Sequence, residues 1–277
     1  MKPVYIVSWL FALAISFVSC DDWLDKTPKD RLYPDVYFKT EDDLRLFTNQ
    51  FYNNLVPSAV DIYSESSDLI VKSDLMLEMS GQRIIPDEGN GWNFTALRDI
   101  NFYLQYSHNC TEVNARNRYD GVARFFRAYF YFEKVKRYGD IPWYDKALDS
   151  DDPELYKARD SREFVMQKML EDLDFAIANL PKTKNAYVLT RWTALALKSR
   201  VCLFEGTFRK YHGLEDCEKY LNACVSASET FMNESGYTLY KSGSTPYRDL
   251  FASINLQADE VIFGRDYEAC LSVLHNV

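Results

Sequence analysis

One segment constrains the fold more than any other part of the chain, the helical pattern from Asn114 to Tyr138. Apolar side chains recur there with a period of about 3.6 residues, at Val122, Phe125, Phe126, Ala128, Tyr129, Phe130, Phe132 and Val135. A helix that is apolar over so much of its circumference has to pack against neighbours on several sides. Gly139 and Pro142 end the pattern. The sequence therefore predicts a fold in which other helices surround this one.

Similar helical patterns occupy much of the remaining chain. The predicted helices run from Thr40 to near Pro57 and over residues 62–79, 95–106, 160–180, 190–208 and 215–231. Thr40 and Asp43 form a capping box for the first of these. Asp160 is predicted to cap the helix that follows it, with Glu163 in the reciprocal position. Strand signals are scarce: residues 260–263 are the best candidate and residues 237–240 are weaker.

Two long helix pairs follow the same plan. Residues 127–132 and 199–204 occupy comparable places in the two pairs, and the small residues Ala194, Ala196 and Ser199 permit close helix approach. Stacked helix pairs are typical of solenoids of the tetratricopeptide kind. We therefore predict an all-α fold of tetratricopeptide-like helix pairs with long irregular loops and little strand.

The N-terminus carries an export signal. Lys2 is followed by the apolar run Trp9–Val18, which is shorter than the roughly 20 residues that span a bilayer. The run ends at Cys20, in the order of a bacterial lipoprotein signal. We therefore expect residues 1–19 to be removed, Cys20 to be lipidated, and residues 20–39 to form an extended tether. The alternative is an ordinary signal peptide followed by a coincidental cysteine.

Charge and cysteine usage argue against several classes of function. The formal net charge of −9 disfavours binding to nucleic acid or electrostatic docking on anionic lipid. The cysteines after Cys20 are odd in number and include no CxxC pair, so neither a complete disulfide set nor a zinc site is expected. HExxH, GxSxG, P-loop and GxGxxG motifs do not occur. The sequence therefore predicts a protein that is not an enzyme and carries no cofactor.

The loop over residues 74–93 holds the candidate ligand contacts, Arg83, Asn90, Trp92 and Asn93. An exposed tryptophan can stack on a sugar ring, while arginine and asparagine can bind its hydroxyl groups. The chain is also rich in aromatic residues, with 20 Tyr and 18 Phe, although most of them recur at helical spacing and belong to the core. The alternative is that Trp92 packs beneath the helix that follows it.

A polar loop is predicted from Asp145 to Asp160, after the long helix. Its acidic cluster, residues 149–152, offers the oxygen ligands that Ca²⁺ prefers, but a solvated loop explains the cluster more simply. Trp143 lies just before this loop. We predict that it packs in the core rather than facing a partner.

Several segments resemble those of one known family and occur in the family's order. They are Ser19–Asp25, Trp92–Leu104, Ala123–Phe132 with Arg137–Pro142, Leu173–Pro181, Ala194–Gly206, Ser235–Leu239 and Glu260–Phe263. Together they are similar to the SusD/RagB family of Bacteroidetes outer-membrane lipoproteins. The Ala123–Phe132 segment, which reads ARFFRAYFYF, is the most specific match.

The resemblance implies a location and a role. Family members sit over a TonB-dependent (SusC-like) outer-membrane transporter, and many capture glycans and deliver them to it without catalysis. Asp21 and Asp22 resemble the acidic residues that send such lipoproteins to the outer face of the membrane. Because family members are usually much longer, residues 40–277 are expected to be a SusD-like N-terminal helical domain that lacks its C-terminal half.

Three functional hypotheses remain open at this stage. The first is a surface lipoprotein that binds glycans or other nutrients and passes them to the transporter. The second is a protein-interaction scaffold that binds the transporter and has no ligand site of its own. The third, a glycan hydrolase, has no motif in its favour and needs two carboxylates at a set separation.

Overall fold

The helical periodicity of the sequence is realised in a computed structural model that describes residues 37–56, 77–84, 89, 91–253 and 255–265. The helices are α1 (Glu41–Leu55), α2 (Thr95–Tyr106), α3 (Val113–Tyr138), α4 (Arg162–Asn179), α5 (Arg191–His212), α6 (Cys217–Glu234) and α7 (Pro246–Ala252). A single helical turn covers Leu77–Ser80, and 3₁₀ turns cover Ser107–Asn109 and Pro153–Tyr156. The predicted all-α class is confirmed. Most of the helix predicted over residues 62–79 lies outside the described residues.

The long helix α3 lies at the centre of the packing, as predicted from its apolar circumference. It packs against α1, α2 and α4. Phe126 contacts the rings of Phe51 and Tyr52 edge-to-face, with centroids 6.1 and 5.0 Å apart. Gly139 ends α3 with a φ of 71°, a left-handed conformation that suits glycine. The sequence located this helix to within a residue at its start.

Helices α5 and α6 form the second close pair. The closest approach is at Gly206, where an added Cβ would lie 2.7 Å from Leu221 Cδ2. Ser199 adds a polar contact across the same pair, its hydroxyl 2.8 Å from that of Ser228. The prediction of close approach through small residues is confirmed for Ser199, and Gly206 is the tighter contact.

Charged side chains link α4 to the pair formed by α5 and α6. Glu205 is fully buried and accepts hydrogen bonds from Arg209 Nε and Arg162 Nε, each at 2.8 Å. Glu163 pairs with Arg209 and accepts from the Tyr220 hydroxyl at 3.1 Å. Burial alone would raise the pKa of Glu163, but the nearby cations and the Tyr220 hydrogen bond lower it. We call Arg162, Glu163, Glu205 and Arg209 the helix network.

The capping predictions have different outcomes. The Thr40–Asp43 capping box of α1 is present. The prediction that Asp160 caps α4 is wrong, because Ser161 Oγ accepts from the backbone N–H of Phe164 instead. The Asp160 carboxylate is held elsewhere, by the backbone N–H of Trp143 at 2.7 Å. Glu163, the predicted reciprocal residue, belongs to the helix network.

Extended segments do not pair into strands in the described part of the chain. Residues 260–263 and 237–240, the strand candidates, are irregular because no neighbouring strand offers them a ladder. Thr238 and Gly264 instead make single backbone hydrogen bonds to Asp259 and Ala186. One isolated antiparallel bridge joins Ile141 to Asp160 and closes the intervening loop at its base. The prediction of little strand is confirmed.

The predicted leader and most of the predicted tether, residues 1–36, lie outside the described residues, and both remain predictions. Among the residues that are described, no helix is long and apolar enough to cross a bilayer. Cys110, Cys202, Cys217 and Cys224 are free thiols.

Candidate functional site

A groove with a volume of about 560 Å³ opens between the start of α2 and the loop that follows α3. Its walls come from three separate stretches, residues 92–101, 142–148 and 155–159. The lining residues are Trp92, Phe94, Thr95, Leu97, Arg98, Asn101, Pro142, Tyr144, Lys146, Leu148, Leu155, Lys157, Ala158 and Arg159. Aromatic and cationic side chains therefore face the same space.

Trp92 stands at the rim of this groove. Its ring contacts Phe94 and Tyr138 edge-to-face, with centroids 5.2 and 4.8 Å apart. The Arg159 guanidinium lies over it, 5.0 Å from the centroid. Even with these contacts, Trp92 stays 40% exposed. Trp92 therefore packs on neighbouring rings and keeps part of its surface exposed, and its role as a ligand contact stays a prediction.

Gly91, directly before Trp92, is bonded to α3. Lys134 Nζ donates a hydrogen bond to the Gly91 carbonyl and lies over the rings of Phe94 and Phe130. Burial, with a smaller effect from Arg137, lowers the pKa of Lys134. These contacts fix the main chain at Gly91, and therefore help to position Trp92.

The other sequence-predicted site residues are less close to the groove. Asn93 is exposed, and its side-chain oxygen accepts from the backbone N–H of Thr95 at 2.8 Å, which helps to start α2. Arg83 is exposed but does not line the groove. Asn90 and the lipidation candidate Cys20 lie outside the described residues. All four therefore remain predictions, and of the sequence-predicted ligand contacts Trp92 alone lines the groove among the described residues.

A buried arginine network supports the groove from beneath. Arg127 binds Asp172 with two hydrogen bonds, from Nε at 2.6 Å and from Nη2 at 2.8 Å. Its Nη1 donates to the side-chain oxygen of Asn101 at 3.2 Å. Asn101 in turn donates to the carbonyl oxygens of Tyr144 and Lys146, at 2.8 and 3.2 Å. We call Asn101, Arg127 and Asp172 the groove network.

Burial and charge oppose each other in this network. Burial alone would lower the pKa of Arg127, but the hydrogen bonds and the charge of Asp172 outweigh burial and raise it. Arg127 therefore keeps its positive charge. A buried charge is costly unless it is paired and hydrogen-bonded, and here every step from Asp172 to the loop carbonyls is bonded.

The loop after α3 has further backbone anchors. The Tyr131 hydroxyl donates to the Pro142 carbonyl at 3.3 Å and accepts from the backbone N–H of Tyr144 at 2.7 Å. Trp143 is buried and stacks on Tyr131, with centroids 4.3 Å apart, which confirms its predicted core position. Lys157 Nζ donates to the Trp143 carbonyl at 2.6 Å. The groove wall is thus held in one conformation.

The acidic cluster of this loop has local partners. Asp152 caps the 3₁₀ turn through the backbone N–H of Glu154 and pairs with Lys146 at 3.3 Å. Over the described residues, no group of three or more His, Cys, Asp or Glu side chains has the geometry to hold a metal ion.

Sequence reasoning did not find Arg98, Tyr144, Lys157 or Arg159 as groove residues. In the sequence, Arg98 has the spacing of an ordinary exposed helix residue. The other three lie in a loop whose sequence indicates only that it is polar. One signal was available: an aromatic residue and two cations, at positions 144, 157 and 159, flank the acidic cluster.

The family comparison matches residues 61–191 to the SusD-like family described as "Starch-binding associating with outer membrane". Among curated proteins, SusD-like protein P38 of Formosa agariphila is 25% identical over 226 residues, covering 74% of this chain and 43% of that protein.

Solved structures show the same fold. A SusD-like protein of Bacteroides fragilis superposes with a TM-score of 0.62 at 23% identity, over 87% of this chain and 48% of that chain. A SusD homologue of Bacteroides thetaiotaomicron gives a TM-score of 0.65 at 16% identity, over 87% of this chain and 49% of that chain. The chain thus spans about half the length of the relatives it matches.

Proposed function

We propose that this chain, of which residues 61–191 match the SusD-like family, acts as a SusD/RagB-type protein that binds glycans at the outer membrane and delivers them to a TonB-dependent, SusC-like transporter. The groove at Trp92 carries this proposal. Its volume of about 560 Å³ lies in the range of small-molecule sites and accommodates a short run of sugar rings. We propose a role in capture, in which the protein binds the glycan and leaves it chemically unchanged.

The lining supplies both kinds of contact that a sugar needs. Trp92, Phe94 and Tyr144 offer apolar ring faces for the C–H side of a sugar. Arg98 and Arg159 offer N–H donors for its oxygen atoms. We propose Trp92 as the stacking platform, with Asn93, Asn90 and Arg83 as further hydroxyl partners from the same loop.

The site is also organised before ligand arrives. The groove network and Tyr131 fix the main chain of the wall through bonds of 2.7–3.3 Å. A fixed wall reduces the ordering cost that a bound ligand would otherwise impose.

The proposal also includes a membrane anchor at the N-terminus. We propose that Cys20 is lipidated and holds the protein at the outer membrane, facing outward, because burying acyl chains requires no basic surface. The acidic residues Asp21 and Asp22 support the outward orientation by their resemblance to the family's surface signal.

Affinity electrophoresis against a panel of neutral and acidic polysaccharides tests the capture step. We expect retardation by at least one glycan and weakening of about tenfold in Trp92→Ala, because the ring supplies stacking surface. Tyr211→Ala is the matched control: Tyr211 is 82% exposed and does not line the groove, so its removal leaves binding unchanged.

The same experiment separates the proposal from its rival. If no glycan retards the protein while a transporter co-purifies with it, the protein is a scaffold without a ligand site. If Trp92→Ala and Tyr211→Ala behave alike although a glycan binds, the ligand site lies outside this groove. Mass spectrometry of the mature protein tests the anchor, which requires a diacylglyceryl group on Cys20.

A further inference from the structure

The groove has a charge opposite to that of the protein as a whole. The chain carries a formal net charge of −9. All charged side chains that line the groove in the described part of the chain are nevertheless cationic: Arg98, Lys146, Lys157 and Arg159. A local field of this sign concentrates anionic ligands at the groove.

Two of these cations are already neutralised by neighbouring carboxylates. Lys146 pairs with Asp152 at 3.3 Å and with Glu154 at 3.0 Å. Lys157 pairs with Asp160 at 3.0 Å. The lysines therefore belong to the loop's own structure and add little net charge.

The two arginines differ from the lysines in this respect. Within the ranges that the structure describes, no carboxylate pairs with Arg98 or Arg159. Arg98 Nε donates a hydrogen bond to the Leu148 carbonyl at 3.4 Å. The Arg159 guanidinium lies over the Trp92 ring. The charge of Arg98 also acts on the neighbouring Asp99, without a salt bridge between them. Both guanidinium groups thus keep N–H donors for a ligand in the groove.

We propose that the groove selects anionic glycans, whose sugars carry a carboxylate or a sulfate. A guanidinium group binds such an oxyanion through two parallel N–H donors, and this charge-assisted pair is stronger than a bond to a neutral hydroxyl. Arg98 and Arg159 line the same groove as Trp92, so the acidic substituent of a sugar bound there can meet a guanidinium group. This inference rests on the proposed glycan capture and adds the ligand class.

The test compares polymers that differ only in charge. Dextran sulfate is measured against dextran, and polygalacturonate against its methyl-esterified form, by affinity electrophoresis and by titration calorimetry at low and high salt. We expect at least one acidic polymer to bind about tenfold more tightly than its neutral counterpart, with the advantage shrinking at high salt. The two pairs of polymers distinguish sulfate from carboxylate recognition, and either result supports the proposal.

Variants locate the effect. Arg98→Gln with Arg159→Gln is expected to weaken binding of the acidic polymer by about tenfold or more and binding of its neutral counterpart by a smaller factor, so that the ratio of the two affinities falls. The control is Arg200→Gln with Arg248→Gln, which removes the same charge from exposed positions outside the groove. Circular dichroism confirms that both double variants keep their helical content.

Each outcome has a distinct meaning. Equal binding of acidic and neutral polymers overturns the charge selectivity and leaves glycan capture intact. Equal loss in the two double variants also overturns it, because the attraction is then a general polyanion effect. Absence of binding to every polymer, neutral or acidic, overturns the capture function and the selectivity with it.

Discussion

The groove network and the helix network contain the same kind of interaction but connect different parts of the protein. Each pairs a buried arginine with a buried carboxylate, at 2.6 Å for Arg127–Asp172 and 2.8 Å for Arg209–Glu205. The groove network continues through Asn101 to loop carbonyls that form the wall of the groove. The helix network continues to other helices through Arg162 and Glu163, and to the Glu215 carbonyl in the turn between α5 and α6, and none of these groups lines the groove.

This difference shows how one fold can separate stability from binding. Damage to either network should destabilise the folded state, because breaking a buried ion pair leaves a charge without a partner. Only damage to the groove network should also move the surface that a ligand contacts. The predictions below test this separation, from the largest expected effect to the smallest.

The largest effects are expected from Asp172→Ala and Glu205→Ala. Asp172→Ala should lower the free energy of unfolding by about 3–5 kcal/mol, because the buried Arg127 loses its carboxylate. Glu205→Ala should cost a comparable amount, because Arg162 loses its carboxylate and Arg209 keeps only Glu163. Urea unfolding followed by far-ultraviolet circular dichroism measures this loss. Glycan affinity of the folded fraction should fall in Asp172→Ala and stay unchanged in Glu205→Ala; a similar fall in both would break the comparison.

Asn101→Ala should follow, with a loss of about 2 kcal/mol in the free energy of unfolding. The variant leaves the Tyr144 and Lys146 carbonyls without their donor, and a buried group without a partner costs roughly 1–3 kcal/mol. Glycan binding should weaken as well. Ser199→Ala, which removes a polar contact between α5 and α6, is the control that should spare binding.

A smaller loss, about 1–2 kcal/mol, is expected from Gly206→Ala. The new Cβ would lie 2.7 Å from Leu221 Cδ2, so α5 and α6 must separate slightly. Gly121→Ala is the matched control, because its nearest atoms, on Leu180, are 3.4 Å away. Thermal unfolding should distinguish the two variants, and glycan affinity should be the same in both.

Ser161 and Asp160, at the start of α4, also separate stability from binding, with a smaller expected loss of unfolding free energy. Ser161→Ala removes the helix cap and should cost about 1 kcal/mol of unfolding free energy without affecting binding. Asp160→Ala releases the Trp143 backbone and Lys157, so we expect weaker glycan binding. The reverse pattern would mean that Asp160 acts as a helix cap after all.

The smallest effect concerns pH and the helix network. Because the pKa of Glu163 is lowered in the folded state, its ionised form stabilises the protein above the ordinary glutamate pKa. That contribution disappears as the pH falls through the lowered value. Urea unfolding between about pH 7 and about pH 3 should show a shallower acid loss in Glu163→Gln than in the unaltered protein, while glycan affinity near neutral pH stays the same.

The sequence predicted the helices well because their signal is local. The apolar spacing of α3 and the capping box at Thr40 depend on residues a few positions apart. Asp160 failed as a cap because its carboxylate is used by Trp143, a residue that only the folded loop brings near. A local pattern carries no information about such a competitor.

The candidate site was predictable in part for the same reason. Trp92, a residue that the sequence singled out as a possible sugar contact, lines the groove, whereas Asn93 and Arg83 do not, and their roles in binding stay predictions. Arg98 and Arg159 come together only when a helix and a distant loop form two walls of one groove. The groove network was likewise invisible, since Asp172 lies 45 residues from Arg127 in sequence.

The way in which the groove loop is held has a consequence for how such proteins diversify. Ile141 and Asp160 close the loop at its base, and Asn101, Tyr131 and Lys157 bind the main chain of residues 142–146 rather than its side chains. Because every residue type offers the same carbonyl, mutation can replace the ligand-facing side chains without loosening the wall. Under the proposed glycan capture, ligand specificity can therefore change through the side chains of this loop while the helices that carry it remain unaltered.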